Sequence, residues 1–115
     1  MTETRPTSTE DVLGHQFSAF YKIPLDKFFQ FALSVDCVIL GYHENQLKLL
    51  VIERGAQPHQ GKKALPGDLV YPNEDMELAA HRVLRELTGI EDVFMKQFHA
   101  YGQVDRHPIG RVVTV

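Results

Sequence analysis

The sequence has a single cysteine and lacks any long run of apolar residues. A chain whose one cysteine is Cys37 cannot form an internal disulfide, and this residue lies in an apolar segment, where a buried and inert thiol is common. We therefore expect a reducing, cytoplasmic setting. No stretch approaches the roughly 18 apolar residues of a membrane span, and the polar N-terminus does not resemble a secretion signal, so neither a membrane partner nor export is indicated.

An excess of positive charge is also missing. Twelve Lys and Arg residues stand against fifteen Asp and Glu residues, which gives a formal net charge of −3. Surfaces that hold nucleic acid by neutralising its phosphates are usually basic, so this chain alone is not expected to bind DNA. Its 115 residues, 43% of them hydrophobic, indicate one ordinary folded domain.

The N-terminus differs in composition from the remainder. Residues 1–15 are polar and are predicted to form a flexible arm, while residues 16–115 form the domain. Aromatic residues crowd residues 17–31, and we expect them to pack on the domain or to form a subunit contact. The six histidines show no metal-ligand spacing, so they are interpreted as non-metal residues.

Apolar patterning predicts four strands and one helix. Two core strands are expected at residues 31–42 and 46–53, joined by a hairpin turn at 43–45. Two more strands are expected at 93–101 and 110–115. The helix is predicted over residues 73–89, with Asn73 as its N-cap and Gly89 as its stop. This order indicates an α/β fold with a helix on one face of a sheet.

Residues 61–90 resemble the Nudix box, G-x5-E-x7-R-E-U-x-E-E-x-G-U, in which U is aliphatic. The segment Leu65-Pro66-Gly67 matches the usual lead-in, and the matching box positions are Glu74, Arg82, Leu84, Glu86, Gly89 and Ile90. The resemblance implies a Nudix-type α/β/α sandwich with a mixed sheet. It also implies a structural role for Gly67, Glu74, Arg82 and Gly89 in the Nudix loop. We expect Glu74 and Arg82 to form the ion pair that fixes this loop.

The box is degenerate at three positions, where Asp68, Val83 and Leu87 replace a glycine and two glutamates. In the family, the helix carboxylates hold a divalent metal against a diphosphate, which requires several hard oxygen ligands. Glu86 is a remnant of that catalytic and metal-binding set. The alternative for Glu86 is a solvated surface charge.

The two lost glutamates belong to one helix face, since positions 83 and 87 are one turn apart. With Met76 and Ala80, they are predicted to form a hydrophobic strip in place of a metal face.

The final segment carries a second resemblance. Residues 101–115 are similar to the D-R-D-P-R-G-R loop and following strand of the Nudix-related transcription regulators, of the NAD-metabolism and arabinose-responsive types, and of some ADP-ribose pyrophosphatases. The matching residues are Asp105, Arg106, Pro108, Gly110 and Arg111. The predicted ligand-binding residues are Arg54, Lys62, Asp105, Arg106 and Arg111, because cationic side chains engage phosphate or sugar oxygens. The alternative for the arginines is pairing with a local acid on the surface.

Three functions are compatible with these features. The favoured hypothesis is a ligand-sensing domain of a transcriptional regulator, which binds a sugar or nucleotide-sugar such as ADP-ribose or a pentose without efficient hydrolysis and requires no cofactor. The alternative is an active Nudix hydrolase that uses Mg²⁺ or Mn²⁺ with Glu86 and carboxylates from outside the box. A structural interaction domain is the weakest hypothesis, since it leaves the arginines unexplained.

The regulator hypothesis also implies partners. Such regulators carry a winged helix-turn-helix after the sensor, so DNA binding is expected only through a C-terminal domain absent from this chain. A homodimer is expected because paired DNA half-sites require a two-fold protein. A Nudix fold normally continues after residues 111–115, so the sequence predicts a domain truncated at its C-terminus.

Overall fold

The computed structural model describes residues 25–57 and 59–115. The expected arm at 1–15 and the aromatic residues before Leu25 lie outside the described residues. The chain divides into two units, Met1–Phe31 and Ala32–Val115. In the described part of the first unit, a 3-10 helix spans Leu25–Phe29, and Phe28, Phe29 and Phe31 are exposed.

The second unit contains a three-stranded mixed sheet, in which β1 lies in the centre, β6 pairs with it antiparallel and β7 pairs with it parallel. The elements are β1 (Ala32–Asp36), β2 (Leu40–His43), β3 (Gln46–Leu49), β4 (Ile52–Glu53), β5 (Lys63–Ala64), β6 (Gly67–Leu69), α1 (Met76–Thr88) and β7 (Val112–Thr114). The strands β2 and β3 form one hairpin, and β4 and β5 form another. The predicted α/β class and mixed sheet are confirmed.

The hydrophobic core lies between α1 and the central strand. Val35 of β1 packs with Ala79 and Val83 of α1, and the partly buried side chains against this cluster are Val70, Met76 and Ala80. Helix α1 contacts both β1 and β6. The core therefore fixes the helix on the sheet through small and β-branched side chains.

The β2–β3 hairpin confirms the predicted turn. The core strand predicted at residues 31–42 is confirmed only in β1, which carries the buried Val35, whereas the later part of it forms the exposed β2. Glu44 and Asn45 both have positive φ, 52° and 63°, which is the backbone of a two-residue turn whose twist suits a hairpin. Every residue of both strands is exposed. The apolar side chains do share one face, since Leu40 pairs with Leu49 and Tyr42 with Leu47. Alternation correctly indicates a one-sided strand, but it does not establish that the apolar side is covered.

Helix α1 begins later than the sequence predicts. Its N-cap is Asp75, with φ −67° and ψ 144°, and not Asn73. The reason is that the Glu74 N–H donates to the Tyr71 carbonyl at 3.1 Å, so residues 71–74 close a turn before the helix. The predicted stop is confirmed: Gly89 has φ 76° and its N–H donates to the Arg85 carbonyl. No helix in the described residues is long and apolar enough to cross a membrane.

The strand predicted at 93–101 is wrong, and the strand predicted at 110–115 is shorter than expected. Tyr101 forms an isolated bridge with Thr114, through N–H to carbonyl bonds of 2.7 and 3.0 Å, and residues 93–100 form no strand. A strand requires a continuous partner as well as a suitable pattern. Only Val112–Thr114 has such a partner, in β1.

Gly67 permits the close approach of β6 to β1. It pairs with Asp36, and a Cβ atom at this position would collide with the Asp36 carboxylate and lie 2.8 Å from the Val35 carbonyl oxygen. We expect Gly67→Ala to destabilise the fold by roughly 1–3 kcal/mol, as overpacking commonly does. Urea unfolding measures this loss. Gly41→Ala is the matched control, since a methyl group at that position would have open space within 4 Å; equal losses in both variants would contradict the explanation.

Candidate functional site

Arg82 and Glu74 form the ion pair expected of the loop. The Arg82 Nε donates to Glu74 Oε2 at 2.7 Å, and its Nη2 donates to Glu74 Oε1 at 2.9 Å. The two side chains are only 11% and 14% exposed. This two-bond fork has the geometry that an arginine forms best with a carboxylate, and it ties α1 to the turn before it.

Arg82 also reaches three neighbours of this turn. Its Nη2 donates to the Leu69 carbonyl at 3.0 Å, and its Nη1 donates to Glu86 Oε2 at 3.1 Å. Its guanidinium carbon lies 4.0 Å from the centroid of the Tyr71 ring, a cation–π contact. One side chain thus connects β6, the loop and the helix.

The pH dependence of stability follows from this pair. The hydrogen bond from Arg82 holds the pKa of Glu74 below its ordinary value. Ionised Glu74 therefore stabilises the fold above its unfolded pKa, and this stabilisation is lost as the pH falls through the lower folded pKa. We expect Glu74→Gln to flatten the decline in melting temperature between about pH 5 and pH 2 relative to the native chain. The exposed Glu91→Gln is the control, and an identical decline in both variants would contradict the linkage.

The predicted hydrophobic strip is divided by the fold. Val83 is fully buried against Val35 and Ala79, whereas Leu87 is 40% exposed. Met76 and Ala80 are partly buried against the Val83 cluster. Val83 is therefore a core residue. The valine at this position lacks the oxygen ligand of the family's glutamate, and it also adds an apolar side chain to the core.

The residues present do not fit the divalent cation that the fold family implies. Glu86 is not a free carboxylate, because it accepts the Arg82 bond, although its side chain is 51% exposed. Val83 and Leu87 supply no oxygen ligand. Within residues 25–57 and 59–115, no three His, Cys, Asp or Glu side chains are grouped as a metal site requires. Hard cations take about six oxygen ligands, several of them carboxylates.

A cleft of about 460 Å³ lies beside α1, between the end of β1 and residues 94–101. None of the predicted ligand-binding residues lines it. Its lining is largely apolar and aromatic and includes Cys37, Met76, Phe94, Phe98, His99 and Tyr101; Asp36 and Glu77 are the acidic residues along it. At its floor, the Cys37 thiol donates to the Ala80 carbonyl at 3.6 Å, and burial raises the pKa of that thiol. Val115, which directly follows β7, lines the same space.

Arg106 and Arg54 contribute positive charge around Asp36. The Arg106 Nη1 donates to Thr114 Oγ1 at 2.7 Å and to the Val112 carbonyl at 3.3 Å. Thr114 and Asp36 both line the cleft. Burial raises the pKa of Asp36, and the positive charges of Arg106 and then Arg54 oppose this increase. Asp36 was not among the predicted site residues, because the predicted strand over residues 31–42 placed it in the middle of a strand, whereas β1 ends at Asp36.

The other three predicted residues occupy the surrounding loops. Arg111 Nη2 donates to the Gly102 carbonyl at 2.9 Å, which ties the loop to its own start. Asp105 is exposed and has a positive φ of 64°. Lys62 is exposed, and its carbonyl accepts the Arg54 N–H at 2.8 Å. The structure therefore brings Arg54 and Arg106 towards Asp36, and it places Arg54 and Lys62 together on the earlier loop.

The structure combines a mixed sheet, a loop–helix–loop and the Glu74–Arg82 fork. Comparison of the sequence with known protein families identifies the class of protein that has these features. Residues 30–115 match the NUDIX domain, and the chain belongs to this family.

Among its relatives, the ADPR responsive transcriptional repressor NtrR of Acinetobacter baylyi is 38% identical over 85 residues, which are 72% of this chain and 34% of the repressor. The ADP-ribose pyrophosphatase of Methanocaldococcus jannaschii is 34% identical over 84 residues, which are 73% of this chain and 47% of that enzyme. The chain thus spans between a third and a half of these curated relatives.

A solved structure is similar over more of the chain. The NUDIX domain of Shewanella oneidensis NrtR, crystallised with ADP ribose, is 32% identical with a TM-score of 0.71. The match covers 86% of this chain and 64% of that domain.

Proposed function

We propose that this chain is the ligand-sensing domain of a transcriptional regulator and binds a sugar or nucleotide-sugar, ADP-ribose or a pentose, without efficient hydrolysis. The proposal rests on two features that occur together at helix α1, a retained ion pair and the loss of the metal ligands. The Glu74–Arg82 fork that holds the loop is retained, while position 83 has become part of the core and Glu86 bonds to Arg82. A loop scaffold kept without its metal ligands suits binding better than turnover.

The named relatives support a ligand of this class. One is called an ADPR responsive repressor, and the Shewanella domain was crystallised with ADP ribose. The ADP-ribose pyrophosphatase is also a relative. For this chain to hydrolyse ADP-ribose, it would require Mg²⁺ or Mn²⁺ and carboxylates other than those of helix α1. Because helix α1 lacks the carboxylates that would hold a metal, it favours ligand sensing over hydrolysis.

The ligand-binding residues proposed are Arg54, Lys62, Asp105, Arg106 and Arg111. Arg106 donates to oxygens of Thr114 and Val112, and the bonds of Arg111 include one to the Gly102 carbonyl. A phosphate oxygen is a stronger acceptor because its bond to a guanidinium is charge-assisted. A phosphate-bearing ligand is therefore able to replace these bonds, and no cofactor is required for that exchange.

For the whole regulator, we propose a homodimer that contacts DNA through a winged helix-turn-helix outside these 115 residues. The net charge of −3 supports placing DNA binding elsewhere. A gel-shift titration with this chain alone is expected to show no DNA binding below millimolar concentration. Binding that weakens with salt in the usual way would contradict this assignment.

The decisive experiment measures binding and turnover separately. In EDTA, ADP-ribose or arabinose is expected to raise the melting temperature, because a ligand at 100 times its Kd stabilises by about 2.7 kcal/mol. With Mg²⁺ or Mn²⁺ at high protein concentration, we expect no hydrolysis of ADP-ribose above buffer. Turnover that Glu86→Gln abolishes and Glu91→Gln preserves would establish the hydrolase instead. If neither ADP-ribose nor arabinose raises the melting temperature, the proposed ligand-sensing function is wrong.

A further inference from the structure

Arg106 bonds to the outer edge of β7 with one end of its guanidinium. Its Nη1 donates to Thr114 Oγ1 at 2.7 Å and to the Val112 carbonyl at 3.3 Å. At the same edge, the Thr114 carbonyl accepts the Tyr101 N–H at 2.7 Å. The side chain of Arg106 therefore fixes the loop before β7 to the sheet, along the edge that does not face β1.

Thr114 is itself supported from the neighbouring strand. Its hydroxyl forms a 2.7 Å hydrogen bond with the Ser34 hydroxyl, and the two residues lie opposite each other in the parallel register of β1 and β7. Thr114 is 4% exposed, and a guanidinium can only donate, so the buried Thr114 oxygen accepts the bond from Arg106. The position of Nη1 is therefore set by two paired strands and not by the loop alone.

The other edge of the Arg106 guanidinium is available to a ligand. Among residues 25–57 and 59–115, the hydrogen bonds of Arg106 use only Nη1. Arg82 shows what the remaining edge can bind, because its Nε and Nη2 hold the two carboxylate oxygens of Glu74. A phosphate offers two oxygens to an arginine in the same way. A ligand therefore need not replace the bonds of Nη1, since Nε and Nη2 are sufficient for two of its oxygens.

The positive charge of Arg106 is held by neutral groups. Within the part of the chain that the structure describes, none of the ion pairs includes it. Its charge acts on Asp36, but its hydrogen bonds go to a hydroxyl and a carbonyl. Such an arginine binds an anion readily, because no ion pair has to be broken and the side chain is already held in place.

Resting on the proposed function, we infer that Thr114 and Ser34 are positioning residues for the phosphate of the ligand. Thr114 holds Nη1 of Arg106, Ser34 holds the Thr114 hydroxyl, and the Nε–Nη2 edge of Arg106 binds the phosphate. The two hydroxyls act on the ligand only through Arg106. Their removal therefore weakens the binding of a phosphate-bearing ligand, and it has no effect once Arg106 is absent.

The role of Thr114 is tested by calorimetry with ADP-ribose in EDTA. Thr114→Val replaces the hydroxyl by a methyl group, and we expect roughly 2- to 12-fold weaker binding, because the ligand must then immobilise Arg106 itself. Thr114→Ser keeps the hydroxyl and is expected to bind as the native chain does. Thr88→Val is the matched control, since it removes a hydroxyl that donates to the Leu84 carbonyl at 2.6 Å and has no bond to Arg106; its affinity is expected to stay native.

A double-mutant cycle separates positioning from a structural role. In an Arg106→Ala background, Thr114→Val is expected to weaken ADP-ribose binding no further, because the route from Thr114 to the ligand has been removed. Ser34→Ala, at a partly buried position, is carried through the same cycle and provides the test if Thr114→Val does not fold. Melting temperatures verify the folding of each variant.

The outcomes distinguish this role from the proposed function. Native affinity in Thr114→Val and Ser34→Ala, or losses that add to that of Arg106→Ala, would overturn the positioning role and leave the sensor standing. If the native chain binds arabinose but not ADP-ribose, the positioning role is wrong as well. If it binds neither ligand, both proposals are wrong.

Discussion

Val83→Glu, which restores the glutamate of the Nudix box, is expected to destabilise the protein by roughly 3–5 kcal/mol and not to create a metal site. The reason is that Val83 is fully buried against Val35 and Ala79, where a carboxylate would have no partner. For a domain of this size, that loss lowers the melting temperature by at least about 12 °C. Thermal unfolding with and without Mg²⁺ measures both parts of the prediction.

Leu87→Glu provides the matched control for this experiment. It restores the other lost carboxylate on the same helix, but at a side chain that is 40% exposed, so its effect is expected to stay within about 0.5 kcal/mol. A Val83→Glu variant that folds normally and is stabilised by Mg²⁺ would show that the position can still serve as a ligand. That result would remove the main support for a domain without hydrolysis.

Arg82→Ala has the second largest expected effect. It removes the fork to Glu74, the bond to the Leu69 carbonyl and the contact with the Tyr71 ring, and it leaves the Glu74 carboxylate without its partner. We expect the melting temperature to fall by roughly 5–10 °C and ADP-ribose binding to weaken with it. Differential scanning fluorimetry and calorimetry on the same preparation provide both values.

Two further arginine substitutions make this result specific. Arg85→Ala removes an exposed arginine from the same helix and is expected to change little. Arg82→Lys keeps the charge but cannot form two parallel bonds, so it should recover only part of the loss. Unchanged stability and ligand binding in Arg82→Ala would refute the role of this pair in holding the loop.

The parts of the fold predicted from sequence are those set by local chemistry. The stop at Gly89 requires only a positive φ that glycine adopts easily, and the turn at Glu44-Asn45 lies between two β-rich runs. The start of α1 differs from the prediction because the Glu74 N–H donates to the Tyr71 carbonyl, which closes a separate turn before the helix. A turn of this kind leaves no periodic signal in the apolar pattern.

The candidate site shows the same division. Glu74 and Arg82 are found through the resemblance to the Nudix box, which implies their pairing, and the structure contains that ion pair. Asp36 is not, because the charges of Arg54 and Arg106 act on it only when separate segments of the chain fold together. Val83 illustrates a further limit: sequence shows that a carboxylate is missing, but only the packing shows that the position has joined the core.

Cys37 offers a native reporter of helix motion. It is the one thiol of the chain, it is 4% exposed, and its hydrogen bond ends on the Ala80 carbonyl of α1. Because the thiol is buried, a reagent alkylates it only when the structure around the end of β1 opens, so the alkylation rate measures the population of that opened state. Ligands that settle beside α1 should slow the labelling, and the protein therefore carries its own probe of occupancy without an engineered label.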